Sequence, residues 1–300
     1  MNPLHLAKTM KKSVFPLFLG ILLCGVTSRS FAEQTLVAIP ATAPPVIDGL
    51  TNDPAWKNAP VLTTFDKTNE LPIMIKSVYT DKEIFFQVSF PDSDESRTHK
   101  SWVWDKKRQF YTVGHDREDI FVFKWNMETK PVDLTLYSDN AYQADVWYWK
   151  ACRTDGAGFA DDKIHVYSPR EDRNATRIVS RSGAVMYLLR TGDEGESAYK
   201  INLISEYQDD ILPRYSLRLP TGSRGDIRAR GVWQNGRWTI ELGRKLQTHN
   251  QDDIHFIPGK KYLFGVSRYE IADRQPNAKL SDPLYGTGDV SETLWLEFMQ

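Results

Sequence analysis

The chain has 300 residues, a formal net charge of −1, and basic and acidic residues mixed along its length. Since binding to nucleic acids requires a strongly basic surface, this balance predicts no nucleic-acid partner. The length suits an export signal followed by one large all-β domain, and no linker rich in Pro, Ser or Gly divides the chain.

The first 32 residues have the three parts of an export signal. Lysines at positions 8, 11 and 12 precede an apolar run over 14–26, and small residues at positions 30 and 32 mark a cleavage site. We expect cleavage after Ala32, a mature single domain over 33–300, and a periplasmic location. The apolar run is shorter than the ~20 residues that cross a membrane, so we expect no membrane span in the mature chain.

Short alternating segments follow, and they indicate strands rather than helices. A short helix is predicted near 53–57, with Asp53 as its cap and Pro54 in its first turn. The predicted strands are, in chain order, a hairpin over 75–90, strands over 118–125, 132–138 and 144–151, a hairpin over 230–246, and strands over 261–270 and 292–299. Long loops are expected over 92–114, 168–195 and 272–291, and loops of this length usually border a functional site.

The late hairpin contains Asn235-Gly236, the dipeptide of a type I′ turn, in which both central residues have positive φ. Short strands separated by such turns indicate an antiparallel sandwich or barrel. We predict an all-β fold, an antiparallel β-sandwich of the immunoglobulin-like kind with long loops and little helix.

Cys152 is the only cysteine that follows the signal. A single cysteine cannot form an internal disulfide, a CxxCH haem attachment or a zinc site. The sequence therefore excludes covalently attached haem c.

The segment DVWYWKACRTDGAGFADD, residues 145–162, places two large rings on one side of a strand. Alternation directs Trp147 and Trp149 to one face and Lys150 to the other. Such rings either fill the core between two sheets or line a site for a flat ligand, and core is the first interpretation.

Lys150 is expected to pair with a carboxylate such as Asp161 or Asp162. Those two aspartates are also candidates for a structural Ca²⁺, which takes oxygen ligands. A solvated turn is the simpler interpretation of the same pair.

Several separated segments resemble one family. VIDGLTNDPAWKNAP (46–60) resembles the opening of DOMON-like and carbohydrate-binding sandwich domains. EDIFVFKWNM (118–127) and the segment 145–162 resemble the haem-binding domain of the gamma subunits of ethylbenzene dehydrogenase and dimethyl sulfide dehydrogenase, and of related cytochromes. WQNGRWTIELGRKLQT (233–248) and the stretch 264–298 are similar to the late hairpin and the C-terminal strands of that family.

This resemblance implies an exported sandwich that holds one haem b and passes electrons between a partner oxidoreductase and a soluble carrier. In the gamma subunits the axial ligands are a Met just before the Trp-x-Trp strand and a Lys in the loop before the last strand. Lys279 falls where that lysine would be, and as a ligand it must be a neutral amine. The segment 135–143 contains no Met, and the nearest is Met127, one strand earlier.

Met127 is a soft donor that would raise the haem potential, although its position also suits a core or turn residue. His99 and His115 lie in the first long loop, and either is a possible replacement for the missing Met. We predict Lys279 as one axial ligand, opposite Met127 as the first choice and His115 as the second. Trp147 and Trp149 are candidate contacts of the same cofactor.

The sequence has no nucleophile elbow, His-Glu-x-x-His run or Gly-rich phosphate loop, so we predict a non-enzyme. The leading hypothesis is a haem b electron-transfer domain whose redox partner is an oxidoreductase subunit or a soluble cytochrome. Two alternatives stay open: a carbohydrate-binding module whose exposed tryptophans stack on sugars, and a haem-less relative that serves as a structural or partner-binding module.

Overall fold

The computed structural model describes residues 34–66, 71–269, 290 and 292–299. The strands in these ranges are β1 (Thr35–Pro40), β2 (Leu62–Asp66), β3 (Leu71–Tyr79), β4 (Glu83–Pro91), β5 (Trp102–Asp105), β6 (Phe110–Val113), β7 (Ile120–Asn126), β8 (Tyr142–Lys150), β9 (Asp161–Ser168), β10 (Thr176–Val179), β11 (Val185–Gly192), β12 (Tyr199–Ile201), β13 (Ile211–Leu212), β14 (Tyr215–Leu217), β15 (Arg228–Trp233), β16 (Arg237–Lys245), β17 (Lys261–Tyr269) and β18 (Thr293–Phe298).

Thirteen strands form one continuous sheet that folds back on itself. Its order is β10-β11-β9-β8-β7-β17-β18-β1-β3-β4-β16-β15, with β2 paired to β3. The two halves of the sheet form two facing layers, one containing β4 and β16 and the other containing β7 and β8. Aromatic rings from the two layers meet between them. The centroid of the Phe86 ring in β4 lies 4.9 Å from that of Phe123 in β7, and Trp149 of β8 and Trp238 of β16 approach to 4.8 Å. The predicted all-β sandwich is confirmed.

β1 joins the two halves through parallel pairing on both of its sides, with β18 and with β3. The other strand pairs of the described sheets are antiparallel. The sandwich is therefore antiparallel except at this seam. Because β1 occupies the seam, neither β18 nor β3 leaves a row of unpaired backbone groups there.

Alternation along the strands separates two apolar clusters. Phe121, Phe123 and Trp125 of β7 point into the main core between the layers, together with Trp147 and Trp149. The opposite faces of the same strands carry a second apolar cluster, to which Val122, Val146, Tyr148, Tyr167 and Leu188 belong. β7 and β8 are therefore covered on both faces.

The predicted hairpins are present as β3–β4 and β15–β16. In the second, Asn235 has φ 51° and Gly236 has φ 72°, as a type I′ turn requires. The strand predicted over 132–138 is absent. There the Asp133 carboxylate accepts the N–H of Thr135, and the N–H of Ser138 donates to the Thr135 carbonyl, so local bonds replace a strand ladder.

Two of the predicted loops contain strands. The stretch 92–114 includes β5 and β6, which pair with each other, and 168–195 includes β10 and β11. β5, β6 and β10 have four residues each, and β6, β10 and β11 have several exposed residues, so apolar alternation in the sequence is weak. Most of the third predicted loop, 272–291, lies outside the described residues.

Helical structure in the described ranges consists of the 3-10 turns Pro54–Trp56, Asp155–Ala157 and Ser223–Gly225. The first replaces the short helix predicted near 53–57. Asp53 does not cap it through its side chain, because its carboxylate accepts the N–H of Val46 instead. None of the described helical segments is long and apolar enough to cross a membrane.

Candidate functional site

Trp147 and Trp149 are completely buried in the main core. Trp149 donates its indole N–H to Asp155 Oδ1 at 2.8 Å and meets Trp238 edge to face. The prediction that this face of β8 turns inward is confirmed. Protein atoms enclose both rings, so neither offers an exposed platform for a sugar.

Lys150 lies on the other side of β8, where it is also buried. Its ammonium donates to Asp161 Oδ2, as the sequence predicted, and Arg224 donates to Asp161 Oδ1 at 2.7 Å. Burial lowers the pKa of Lys150 to about 8 against the opposing attraction of Asp161. Burial alone would raise the pKa of Asp161, but the positive charges of Lys150, Lys163 and Arg224 hold it below its usual value. Both partners are therefore ionised near neutral pH.

Asp162 belongs to a different group of side chains. Asp145, Asp162 and Asp253 surround the guanidinium of Arg244, whose Nη1 lies 2.8 Å from Asp145 Oδ2 and 3.3 Å from Asp253 Oδ1. The same guanidinium covers the ring of Trp147 at 4.6 Å from its centroid. Burial raises the pKa of Asp145, and burial together with the Asp145 charge raises that of Asp162 well above its usual value.

The idea that Asp161 and Asp162 hold one Ca²⁺ between them is wrong, and so is the alternative of a solvated turn. Both residues are buried in β9. Consecutive strand residues point to opposite faces, so the two carboxylates have separate partners.

Met127 follows the last residue of β7 and lines a cavity of about 440 Å³. His255, Tyr262 and Trp295 line the same cavity. The Nδ1 atom of His255 is buried and has no hydrogen-bond partner within the described structure. A thioether and an imidazole, both of which ligate haem iron in proteins, thus border one space.

His115 and Met127 lie beyond opposite ends of β7. The strand has seven residues, and at ~3.3 Å per residue its ends are roughly 20 Å apart. His115 is exposed. His99 is buried, and its Nδ1 accepts the N–H of Glu118 at 3.5 Å. Burial and then the charge of Arg153 lower its pKa to about 2, so His99 is a neutral imidazole held by the protein.

His165 in β9 has a burial that the sequence analysis did not anticipate. It is 2% exposed, and neither ring nitrogen has a hydrogen-bond partner in the described ranges. Burial lowers its pKa well below the usual value, and the charges of Lys124 and Arg190 add to this effect. Its ring lies 5.9 Å from that of Tyr148, on the side of the second apolar cluster. His165 and Tyr167 are two residues apart in β9, so strand alternation predicts that both side chains lie on the same face.

Lys279 lies outside the described residues, so its role as an iron ligand stays a prediction. Neither Arg244 nor Asp253 was a candidate from the sequence, because nothing in the local pattern distinguishes them from surface charges. His255 lies in a polar stretch far from Met127 along the chain, so the local sequence did not indicate that the two residues would border one cavity.

A comparison with protein families gives a match that covers nearly all of the described sheet. The model of the family described as Ethylbenzene dehydrogenase matches residues 35–275. The chain belongs to the ethylbenzene dehydrogenase family. The resemblance seen in the Trp-x-Trp-Lys segment and the late hairpin is confirmed. No curated protein matches the sequence of this family member at a significant level.

Three solved structures are similar in chain path to this member of the family. A family 9 carbohydrate-binding module from Caldicellulosiruptor kristjanssonii in complex with glucose has 11% identity and a TM-score of 0.39, covering 89% of this chain and 96% of that one. Its complex with cellotriose has 11% identity and a TM-score of 0.36, with coverages of 88% and 93%. A putative carbohydrate-binding protein from Bacteroides uniformis has 9% identity and a TM-score of 0.41, with coverages of 89% and 100%. Similarity at this level supports no conclusion about a binding site in this chain.

The residues around the Met127 cavity fit a haem. Met127 offers a thioether, His255 offers a buried nitrogen without a partner, and Tyr262 and Trp295 add flat apolar surface. The cavity volume falls in the ~300–1,000 Å³ range of cofactor and ligand sites. Three lysines at the border of the cavity offer positive charge to the propionates of a porphyrin: Lys130, Lys260 and Lys261.

Proposed function

We propose that the protein is an exported haem b-binding domain of the ethylbenzene dehydrogenase gamma type that transfers electrons. Membership of the ethylbenzene dehydrogenase family over residues 35–275 is the observation that carries the proposal. The haem supplies a one-electron redox centre, and the chain binds it, tunes its potential and presents it to a partner. No side chain of the domain has a catalytic role in this proposal.

Met127 and Lys279 are the residues that would hold the haem iron. Met127 is preferred to His115 because it lines a cavity, whereas His115 is exposed. A thioether ligand stabilises ferrous iron and raises the reduction potential. His255 borders the same cavity, so it is the alternative to Lys279 as the second iron ligand. Experiments have to distinguish the two residues.

Attachment of the haem is noncovalent in this proposal. Cys152 is free and half-buried. Burial, followed by the charge of Glu118, raises the pKa of its thiol to about 11, so it stays protonated at neutral pH. Acidified acetone should therefore extract the porphyrin completely.

A docking surface for the redox partner is proposed on the two small sheets, β13-β5-β6 and β12-β14. Eight exposed large hydrophobic side chains come from these sheets and their connections: Phe110, Val113, Ile201, Leu203, Tyr207, Ile211, Leu217 and Leu219. Leu203 is 92% exposed and Leu219 is 74% exposed. Exposed apolar surface of this kind marks protein contacts, which suits an oxidoreductase subunit or a soluble cytochrome.

Titration of purified mature protein with haem, followed by ultraviolet-visible spectroscopy, tests the function. We expect one haem per chain and a low-spin, six-coordinate spectrum. Met127→Ala should shift the spectrum toward high spin, whereas Met74→Ala, at a half-buried methionine of β3, should leave it unchanged. His255→Ala should have no spectral effect if Lys279 is the opposite ligand.

A wild-type protein that shows no Soret shift and no stoichiometric haem uptake would refute the proposal. The scaffold would then be a haem-less relative, and the absence of a Met in 135–143 would be the reason in the sequence.

Carbohydrate binding is the second candidate, and a group of partly exposed rings favours it. Trp104 in β5 contacts Tyr111 and Tyr207 edge to face, at centroid distances of 4.9 Å and 5.1 Å. Aromatic rings at a surface can stack on sugars. Calorimetric titration with soluble oligosaccharides, on wild type and on Trp104→Ala, distinguishes this function from haem binding.

A further inference from the structure

Four buried aspartates leave six carboxylate oxygens without a hydrogen-bond partner in the described structure. These atoms are Asp145 Oδ1, Asp162 Oδ2, and both side-chain oxygens of Asp193 and of Asp253. The four side chains are between 0% and 5% exposed. Burial of a carboxylate without compensating partners is costly, so this group requires positive charge close to it.

Three of the carboxylates converge on one point. Ligand oxygens of Asp145, Asp162 and Asp253 all lie within 4.8 Å of one another. Oxygens that bind the same Ca²⁺ at 2.3–2.6 Å have separations of up to about 5 Å, so this spacing fits one ion. The three residues come from β8, β9 and the segment before β17, and the ion would connect them.

Asp193 is a separate observation that points to the same ion. It follows β11 and is not part of the group of three, yet both of its oxygens lack partners and it is 5% exposed. Its backbone N–H donates to the Asp162 carbonyl at 3.3 Å, and its carboxylate lies in a second group of acidic oxygens that includes Asp253. Its side chain is therefore directed toward the residues that already converge.

Arg244 neutralises only part of this charge. Its Nη1 donates to Asp145 Oδ2. Its Nη2 donates to the backbone carbonyl of Ile254, so part of the guanidinium is bound to a neutral acceptor. Nη1 also lies 3.3 Å from Asp253 Oδ1 and 3.8 Å from Asp162 Oδ2, so one guanidinium is shared by three of the four carboxylates. The neighbouring Arg224 donates to Asp161, which lies outside the group.

We propose that Asp145, Asp162, Asp193 and Asp253 form a Ca²⁺ site at the edge of the main core. Ca²⁺ takes oxygen ligands from carboxylates, carbonyls and water, and the absence of Cys and His among these four residues disfavours Zn²⁺. Bound Ca²⁺ would tie β8, β9, the residue after β11 and the segment around Asp253 together. None of its four residues is a proposed haem ligand, although Asp253 also lines the Met127 cavity.

The test is calorimetric titration of the EDTA-treated mature protein with Ca²⁺, together with its thermal unfolding. We expect one Ca²⁺ per chain and a Tm that rises with Ca²⁺ more than with equal Mg²⁺. Asp193→Asn and Asp253→Asn should each weaken Ca²⁺ binding by about tenfold or more, because ligand charge sets the affinity of such sites. Asp209→Asn, at an exposed aspartate, is the matched control and should bind as wild type does.

Wild-type protein that takes up no Ca²⁺ and keeps the same Tm in Ca²⁺ and in EDTA overturns the site, because the carboxyl groups then hold protons instead. Unchanged affinity in both Asn variants overturns the ligand assignment. If the variants fail to fold, wild-type stoichiometry and the shift in Tm still decide the question.

Discussion

The ammonium of Lys150 donates to the carboxylate of Asp161 inside the protein, where the two side chains are 4% and 0% exposed. Asp161 also has Arg224 and Lys163 as charged neighbours. Lys150 has fewer alternatives, since its ammonium lies near the rings of Tyr148 and Tyr199. The two partners are therefore unequal: Asp161 retains cations without Lys150, but Lys150 loses its bonded carboxylate without Asp161.

Asp161→Asn should lower the free energy of unfolding by about 3 kcal/mol, because it leaves a buried ammonium without its counter-charge. Lys150→Met should cost less, since Arg224 and Lys163 still compensate Asp161. Urea unfolding of both variants and of the double variant measures this. Equal costs, or a larger cost for Lys150→Met, would contradict the asymmetry.

Trp149→Ala should cost about 3–5 kcal/mol through lost burial and the cavity that remains. The matched control is Trp104→Ala, at a half-buried ring outside the main core, which should cost clearly less. Trp149→Phe should have an intermediate cost because it keeps an apolar ring but loses the bond to Asp155. Denaturant unfolding is the measurement, and near-wild-type stability of Trp149→Ala would show that the ring is not core.

His99 should make stability fall as the pH falls below about 6.5. Its pKa is lowered to about 2 in the folded protein, so between these values the unfolded chain binds a proton that the folded chain does not. Stability therefore rises with pH across this window, and the contribution of His99 should change by about 2 kcal/mol between pH 7 and pH 5. Unfolding at a series of pH values should give a shallower dependence of stability on pH for His99→Gln than for wild type, and an equal dependence in both proteins would contradict the prediction.

Lys279→Ala should open one axial position of the proposed haem, shift its spectrum toward high spin and speed the loss of haem to apomyoglobin. Lys245→Ala, at an exposed lysine of β16, should have none of these effects. A low-spin spectrum that survives Lys279→Ala but is lost in His255→Ala would assign the second ligand to His255 instead.

Exported protein should begin at Glu33. The charged, apolar and small-residue parts of the first 32 residues predict cleavage after Ala32. Mass spectrometry of the periplasmic fraction measures the N-terminus. An intact Met1 on membrane-bound protein would be incompatible with this prediction.

The sandwich, the inward face of β8 and the type I′ turn could be predicted from the sequence. Each depends on properties of a short segment: period-two alternation orients Trp147 and Trp149 wherever the strand lies, and Asn235-Gly236 adopts positive φ without help from distant residues. The pairing of Lys150 with Asp161 was predictable for a similar reason. They are only eleven positions apart, and the two strands that hold them are neighbours.

The contacts between distant residues could not be predicted and follow from the tertiary structure. Arg244 and Asp145 are 99 residues apart, and Met127 and His255 border one cavity although they lie far apart in the sequence. The order of strands in the folded sheet creates these contacts, and no local pattern records that order. The same limit applied to Asp161 and Asp162, whose adjacency in sequence suggested a shared ion. The pleat of β9 directs their carboxylates to opposite sides, so neighbours along the chain became members of separate networks in the fold.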